Sequence, residues 1–156
     1  MPSSHRAQRV LNLEYDVRRV SGLQPGLTMQ LGEGPSTWSE GFSGISIGEA
    51  AFGFIEPHII EGWPAYRAYG HWGATPLPRA AWLNISASLE NQRRRLLMDE
   101  EADVPAFCGF DHALVTKLFQ QDPDLHHRKL ARMIGEVVTW LRDALTRCDV
   151  ITVYGV

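Results

Sequence analysis

Glycine and proline are placed unevenly along this chain, and that limits the fold more than any other feature. Of the 14 glycines and 9 prolines in 156 residues, eleven and six lie between Ser21 and Pro78. Glycine pays extra backbone entropy inside a helix, and proline removes a donor and clashes with the preceding turn. This segment is therefore read as strands and turns, not long helices. After Pro78 the apolar residues recur at helical spacing instead. Strands first, then helices, is the signature of an α+β fold.

The strands are read by alternation. In "RVLNLEYDVRRV" (Arg9 to Val20), Leu11, Leu13, Tyr15 and Val17 point one way and Asn12, Glu14, Asp16 and Arg18 the other, as in a half-buried strand. "LTMQL" (Leu27 to Leu31) repeats the period after the turn-rich "SGLQPG", so these two are expected to pair antiparallel. "GISI" (Gly44 to Ile47) is a third strand, reached through the loop "LGEGPSTWSEGFSG". In "GEAAFGFIEPHII", Ala51, Phe54, Ile55, His58 and Ile59 fit one helical face, but Pro57 opposes helical geometry at Glu56. A short helix or a strand–turn–helix is expected there.

The second half is plainer. Trp82, Ile85, Leu89 and Leu96 form one helical stripe, with Pro78 suited to the first turn. Asp111 is a candidate N-cap for a helix that buries Leu114, Val115, Leu118 and Phe119. The longest helix carries Leu130, Met133, Ile134, Val137, Leu141, Ala144 and Leu145, with Asp124 as its expected N-cap and Pro123 just before it. A last strand, "DVITVYG", places Ile151 and Val153 on one face and returns to the sheet. The expectation is one domain over residues 1–156: N-terminal antiparallel strands, C-terminal helices packed on them, and residues 1–8 as a disordered tail.

Composition narrows the function. Hydrophobic residues are 44% and charged residues 21%, as in an ordinary globular protein. No apolar run reaches the roughly 18 residues of a membrane helix, and "MPSSHRAQRV" has no apolar h-region. A cytoplasmic protein without membrane contact is expected. Cys108 and Cys148 are far apart and form no CxxC, so neither a disulfide framework nor a zinc site is read from them. The net charge of −3 argues against a nucleic-acid partner, which needs a basic face. Between Ser21 and Pro78, Glu33, Glu40, Glu49, Glu56 and Glu61 face one base, Arg67. Such an acidic segment suits a basic protein partner.

Catalytic and metal-binding patterns are weak. "DPDLHHR" offers carboxylates and imidazoles, yet adjacent helical His126 and His127 point about 100° apart and converge poorly on one ion. "RRR" (Arg93 to Arg95) followed by "DEEAD" (Asp99 to Asp103) reads as a solvated face with local pairing. The best catalytic constellation is Glu56, His58, Glu61 and His71, where carboxylates and imidazoles could share a proton. A hydrolase would use Glu56 and His71 with a nucleophile from Ser43, Ser46 or Cys108, and no spacing selects one. No catalytic residue, cofactor or metal ligand is therefore assigned. The same stretch is rich in aromatics interrupted by Pro64 and Gly70, which place them in a loop at the edge of the core. Loop Trp and Tyr are also frequent binding anchors. The residues that charge and aromaticity pick as partner contacts are Glu33, Trp38, Glu40, Glu61, Trp63, Tyr66, Tyr69 and Trp72.

A family pattern overlays these readings. "FGFIEP" (with Phe52, Ile55, Glu56 and Pro57), then "YRAYGHWGATPLPRAAW" (with Tyr69, Gly70, Thr75 and Trp82), then "VVTWLRDAL" (Trp140, Leu141) and "ITVYGV" (Ile151, Gly155, Val156) follow in order from about Gly44 to Val156. The set resembles bacterial immunity proteins encoded beside polymorphic toxins of type VI or contact-dependent systems. The resemblance implies a stoichiometric binder, not an enzyme, which blocks a cognate toxin domain inside the producing cell and needs no cofactor. The acidic segment would suit a basic toxin such as a nuclease or deaminase. Two other readings stay open: the Glu56/His71 hydrolase, and an oligomer-forming domain that pairs through the edge of "ITVYGV".

Overall fold

The computed structural model describes residues 13–22, 28–34, 43–66, 73–109 and 112–155. Its elements are β1 (Val17–Val20), β2 (Thr28–Glu33), β3 (Gly44–Gly48), a single helical turn α1 (Glu49–Phe52), α2 (Glu56–Gly62), β4 (Gly73–Pro78), α3 (Arg79–Leu97), α4 (His112–Gln121), α5 (Pro123–Ala144) and β5 (Val150–Gly155). The five strands make one sheet in the order β1-β3-β2-β5-β4. All four pairings are antiparallel. The fold is α+β, with strands leading, helices following and a final strand inside the sheet. The tail expected over residues 1–8 lies outside the described residues.

Register assigns the two faces. Val17, Ile47 and Met29 share one row, and Arg19, Ile45, Leu31 and Val153 the next. Their apolar members join Ile151 and Leu77 in the core with Trp82, Ile85 and Leu89 of α3 and Ile134, Val137 and Leu141 of α5. Trp82 is fully buried and its indole N–H donates to the carbonyl of Ile151 at 2.9 Å, tying α3 to the centre of the sheet. The opposite face is polar: Arg18, Ser46, Gln30 and Tyr154 follow one another across four strands. That face is covered too, since Gln30 and Thr152 are fully buried. Thr152 is satisfied there by donating to the carbonyl of Gly34 at 2.8 Å.

Several expectations are corrected. β1 does not pair with β2; β3 lies between them. "GISIG" is buried over Gly44–Ile47, as a strand with neighbours on both sides is, whereas Arg18 and Arg19 are exposed and suit a sheet edge. Leu13, Tyr15 and Val17 do pack on the core, but ladder pairing begins only at Val17. β4 falls in a stretch to which no strand is assigned from the sequence. Pro76 and Pro78 hid it, and they are tolerated because β4 is an edge strand that needs fewer donors. Pro78 is thus the last strand residue and the N-cap of α3, with an extended ψ of 162°, not part of the helix's first turn. Asp122, not Asp124, caps α5: its carboxylate accepts from the Leu125 N–H at 3.2 Å. Pro123 takes the first helical position, where its missing N–H costs nothing. Pro57 likewise sits at the start of α2, so Glu56 is helical after all. Asp111 lies outside the described residues. Finally, "ITVYGV" is no free edge; β5 is flanked by β2 and β4.

Candidate functional site

Helix α2 carries three of the four residues of the catalytic constellation, and they have different fates. Glu56 is 1% exposed, and burial, with a smaller push from Glu49, raises its pKa to about 8. Its carboxyl is therefore protonated at neutral pH. Glu61 faces solvent. His58 is buried between two residues of α3, with Nδ1 2.7 Å from Ser88 Oγ and Nε2 2.7 Å from Gln92 Oε1. Burial lowers its pKa against the opposing pull of the Gln92 bond. The neutral ring then donates from Nε2 to the Gln92 carbonyl and accepts at Nδ1 from the Ser88 hydroxyl.

Ser88 and Gln92 were not singled out in the sequence, although their i, i+4 spacing marks one helix face. Hydroxyl, imidazole and amide in a row resemble a nucleophile, a base and its orienter. Here the backbone N–H groups around Ser88 are committed to the middle of α3, leaving no donors for an oxyanion. The trio joins α2 to α3 as a satisfied buried histidine. Ser46 lies on the sheet face turned away from α2, and Ser43 is exposed. The Cys108 thiol is raised by burial and by Glu56. His71 lies outside the described residues.

His126 and His127 diverge as their adjacency requires. His126 Nδ1 meets the Tyr15 hydroxyl at 3.0 Å, and His127 Nε2 meets the Asp103 carbonyl at 2.9 Å. Among the described residues no group of three or more His, Cys, Asp or Glu is placed to hold a metal ion. The arginine run pairs locally: Arg93 grips Glu90 through two bonds of 2.9 and 2.7 Å, and Arg95 meets Glu101 at 3.3 Å.

Of the eight expected contact residues, Trp38, Glu40, Tyr69 and Trp72 lie outside the described residues. Glu61 is exposed and Trp63 is half-buried against the core. Tyr66 is 4% exposed, so its ring packs inside and offers no surface. Glu33 is engaged by Arg147, which also bonds Asp143 at 2.7 Å. With Glu33 paired and Glu56 protonated, the acidity that the 21–78 segment presents to solvent is smaller than its formal charge.

A concave feature lies elsewhere among the described residues, between β1 and the helices. One cleft of about 610 Å³ has Val17, Ile45, Val138 and Trp140 as its floor. Arg19, Arg93, Arg132 and Arg142 rim it, against Glu90 and Glu136. A second, of about 530 Å³, runs between the consecutive residues Leu13 to Arg18 and Lys129, Arg132 and Glu136 of α5. The two share Val17, Arg132 and Glu136 and so form one trough. Arg132 is only 3.6 Å from Glu136, and Arg19 and Arg142 make no ion pair among the described residues. Four guanidiniums against two carboxylates leave the first cleft at +2 in a chain whose net charge is −3. Apart from Arg93 in the "RRR" run and Trp140 in the family pattern, these residues did not stand out in the sequence, because β1, α3 and α5 bring them together only in space. Comparison with family models, with curated proteins and with solved structures finds no significant match.

Proposed function

We propose that this chain is an immunity protein that binds a cognate toxin domain stoichiometrically in the cytoplasm of the producing cell. The observation that supports a binding role is the trough along β1. It is long, open to solvent and rimmed by charge around half-buried Val17, as the polar rim of a protein–protein contact is. Two guanidiniums without an ion pair among the described residues, Arg19 and Arg142, give it a charge that a partner can complement. Exposed Glu61 and half-buried Trp63 offer a second contact region on α2, as read from the sequence. Among the described residues no helix is long and apolar enough to cross a membrane.

The test is co-expression with the toxin domain encoded beside the gene. Restored growth and co-elution as a one-to-one complex are the expected results. Toxicity that persists, with no complex, would remove the proposal.

A further inference from the structure

We infer that the trough receives an extended, acidic segment of the protein partner, laid along the open edge of β1. The inference rests on the binding reading above and adds the chemistry of what is bound. Side chains of a strand alternate between faces, so a cavity at one face touches every second residue. Here the consecutive strand residues Val17, Arg18 and Arg19 all border the trough, so the strand's edge fronts it, and Leu13 to Asp16 continue that border before the ladder begins. β1 ends the sheet among the described residues, so alternate N–H and C=O groups of Val17–Val20 face outward. Such an edge accepts an added strand through main-chain hydrogen bonds, while side-chain pockets select its sequence.

Charge selects the occupant. Arg19 and Arg142 in the first cleft, and Arg18 and Lys129 in the second, have no ion pair among the described residues, and they call for carboxylates. Half-buried Val17, flanked by the aliphatic stems of Arg19 and Arg132, calls for apolar residues between those carboxylates. Glu90, Glu136, Glu14 and Asp16 are interspersed among the cations, which disfavours a uniform polyanion such as nucleic acid. A second copy is disfavoured as well, because antiparallel pairing of two β1 edges would set Arg18 against Arg19. The chain's own first residues carry Arg6 and Arg9, the wrong sign.

The test uses the isotopically labelled full chain and a soluble decapeptide of alternating Glu and Val, followed by amide spectra. The expected result is a shift of signals from residues 13–20 and from α5. Saturation should come at a concentration about tenfold or more below that needed by the matching Lys–Val decapeptide. In R19E/R142E this preference should reverse. The same spectra show whether that variant is folded; if it is not, R19Q/R142Q must lose the preference instead. No shift with the Glu–Val peptide overturns the inference, as does an equal response to a single-stranded oligonucleotide. Rescue from the toxin without any peptide response overturns the inference and leaves the immunity reading standing. A peptide response without rescue does the reverse.

Discussion

Cys108 donates its backbone N–H to the carbonyl of Gly53 at 2.8 Å, and a Cβ on Gly53 would collide with the Cys108 carbonyl oxygen and the Phe107 ring. The turn between α1 and α2 and the segment before α4 are thus in backbone contact, sealed by Phe107 against Phe54 with ring centroids 4.8 Å apart. Gly53→Ala should destabilise the chain by about 2–4 kcal/mol, an overpacking penalty with no flexible neighbour to absorb it. Gly135→Ala in α5 is the contrast. Its Cβ would meet only Arg93 Cδ at 3.4 Å, so the better helix former should be neutral or stabilising by up to about 1 kcal/mol. Urea unfolding of both variants measures the difference.

Glu56 makes stability depend on pH in a defined sense. Its pKa rises from near 4.5 to about 8 on folding, so the unfolded chain releases a proton that the folded chain keeps. Stability is therefore highest below the lower value, falls as pH rises between the two, and levels off above the upper one. The slope in that window should approach about 1.4 kcal/mol per pH unit. His58, lowered from 6.5, acts oppositely and removes stability as pH falls below its unfolded value. Glu56→Gln should flatten the decline between pH 5 and 8, as unfolding free energies across that range will show.

Trp82 holds α3 to β5 by one indole bond to Ile151 within a fully buried setting. Trp82→Phe keeps most of the apolar volume and leaves that carbonyl without its donor. A loss of about 1–3 kcal/mol is expected, read from the denaturation midpoint.

The Ser88–His58–Gln92 chain is read as structural. Gln92→Leu should cost about 1–3 kcal/mol by leaving His58 Nε2–H unsatisfied. Ser88→Ala should leave the proposed toxin neutralisation unchanged. Lost protection by a stably folded Ser88→Ala would instead give the hydroxyl a chemical role.

Much of this fold was legible from local pattern. The alternation around Val17, the stripe through Trp82 and the stripe through Val137 each report burial of one face; the two helices formed where expected, whereas the ladder of the strand spans only Val17–Val20 of the stretch read as strand. Strand order was not legible, because nothing local tells "GISIG" to enter between β1 and β2. β4 was hidden by Pro76 and Pro78, whose penalty depends on whether a neighbouring strand needs their donors. The site was less legible still. Glu33 and Glu56 counted as surface charge until Arg147 and the core claimed them. Arg19 and Arg142, 123 positions apart in the chain, meet only because α5 crosses the β1 end of the sheet.

The claim that recognition is carried by the β1 trough is tested most directly by calorimetric titration of the cognate toxin domain into the wild-type chain and R19E/R142E. One-to-one binding by the wild type, weakened about tenfold or more in the variant and more strongly salt-dependent in the wild type, is the predicted result. Equal affinity and equal salt dependence in the two chains would contradict it.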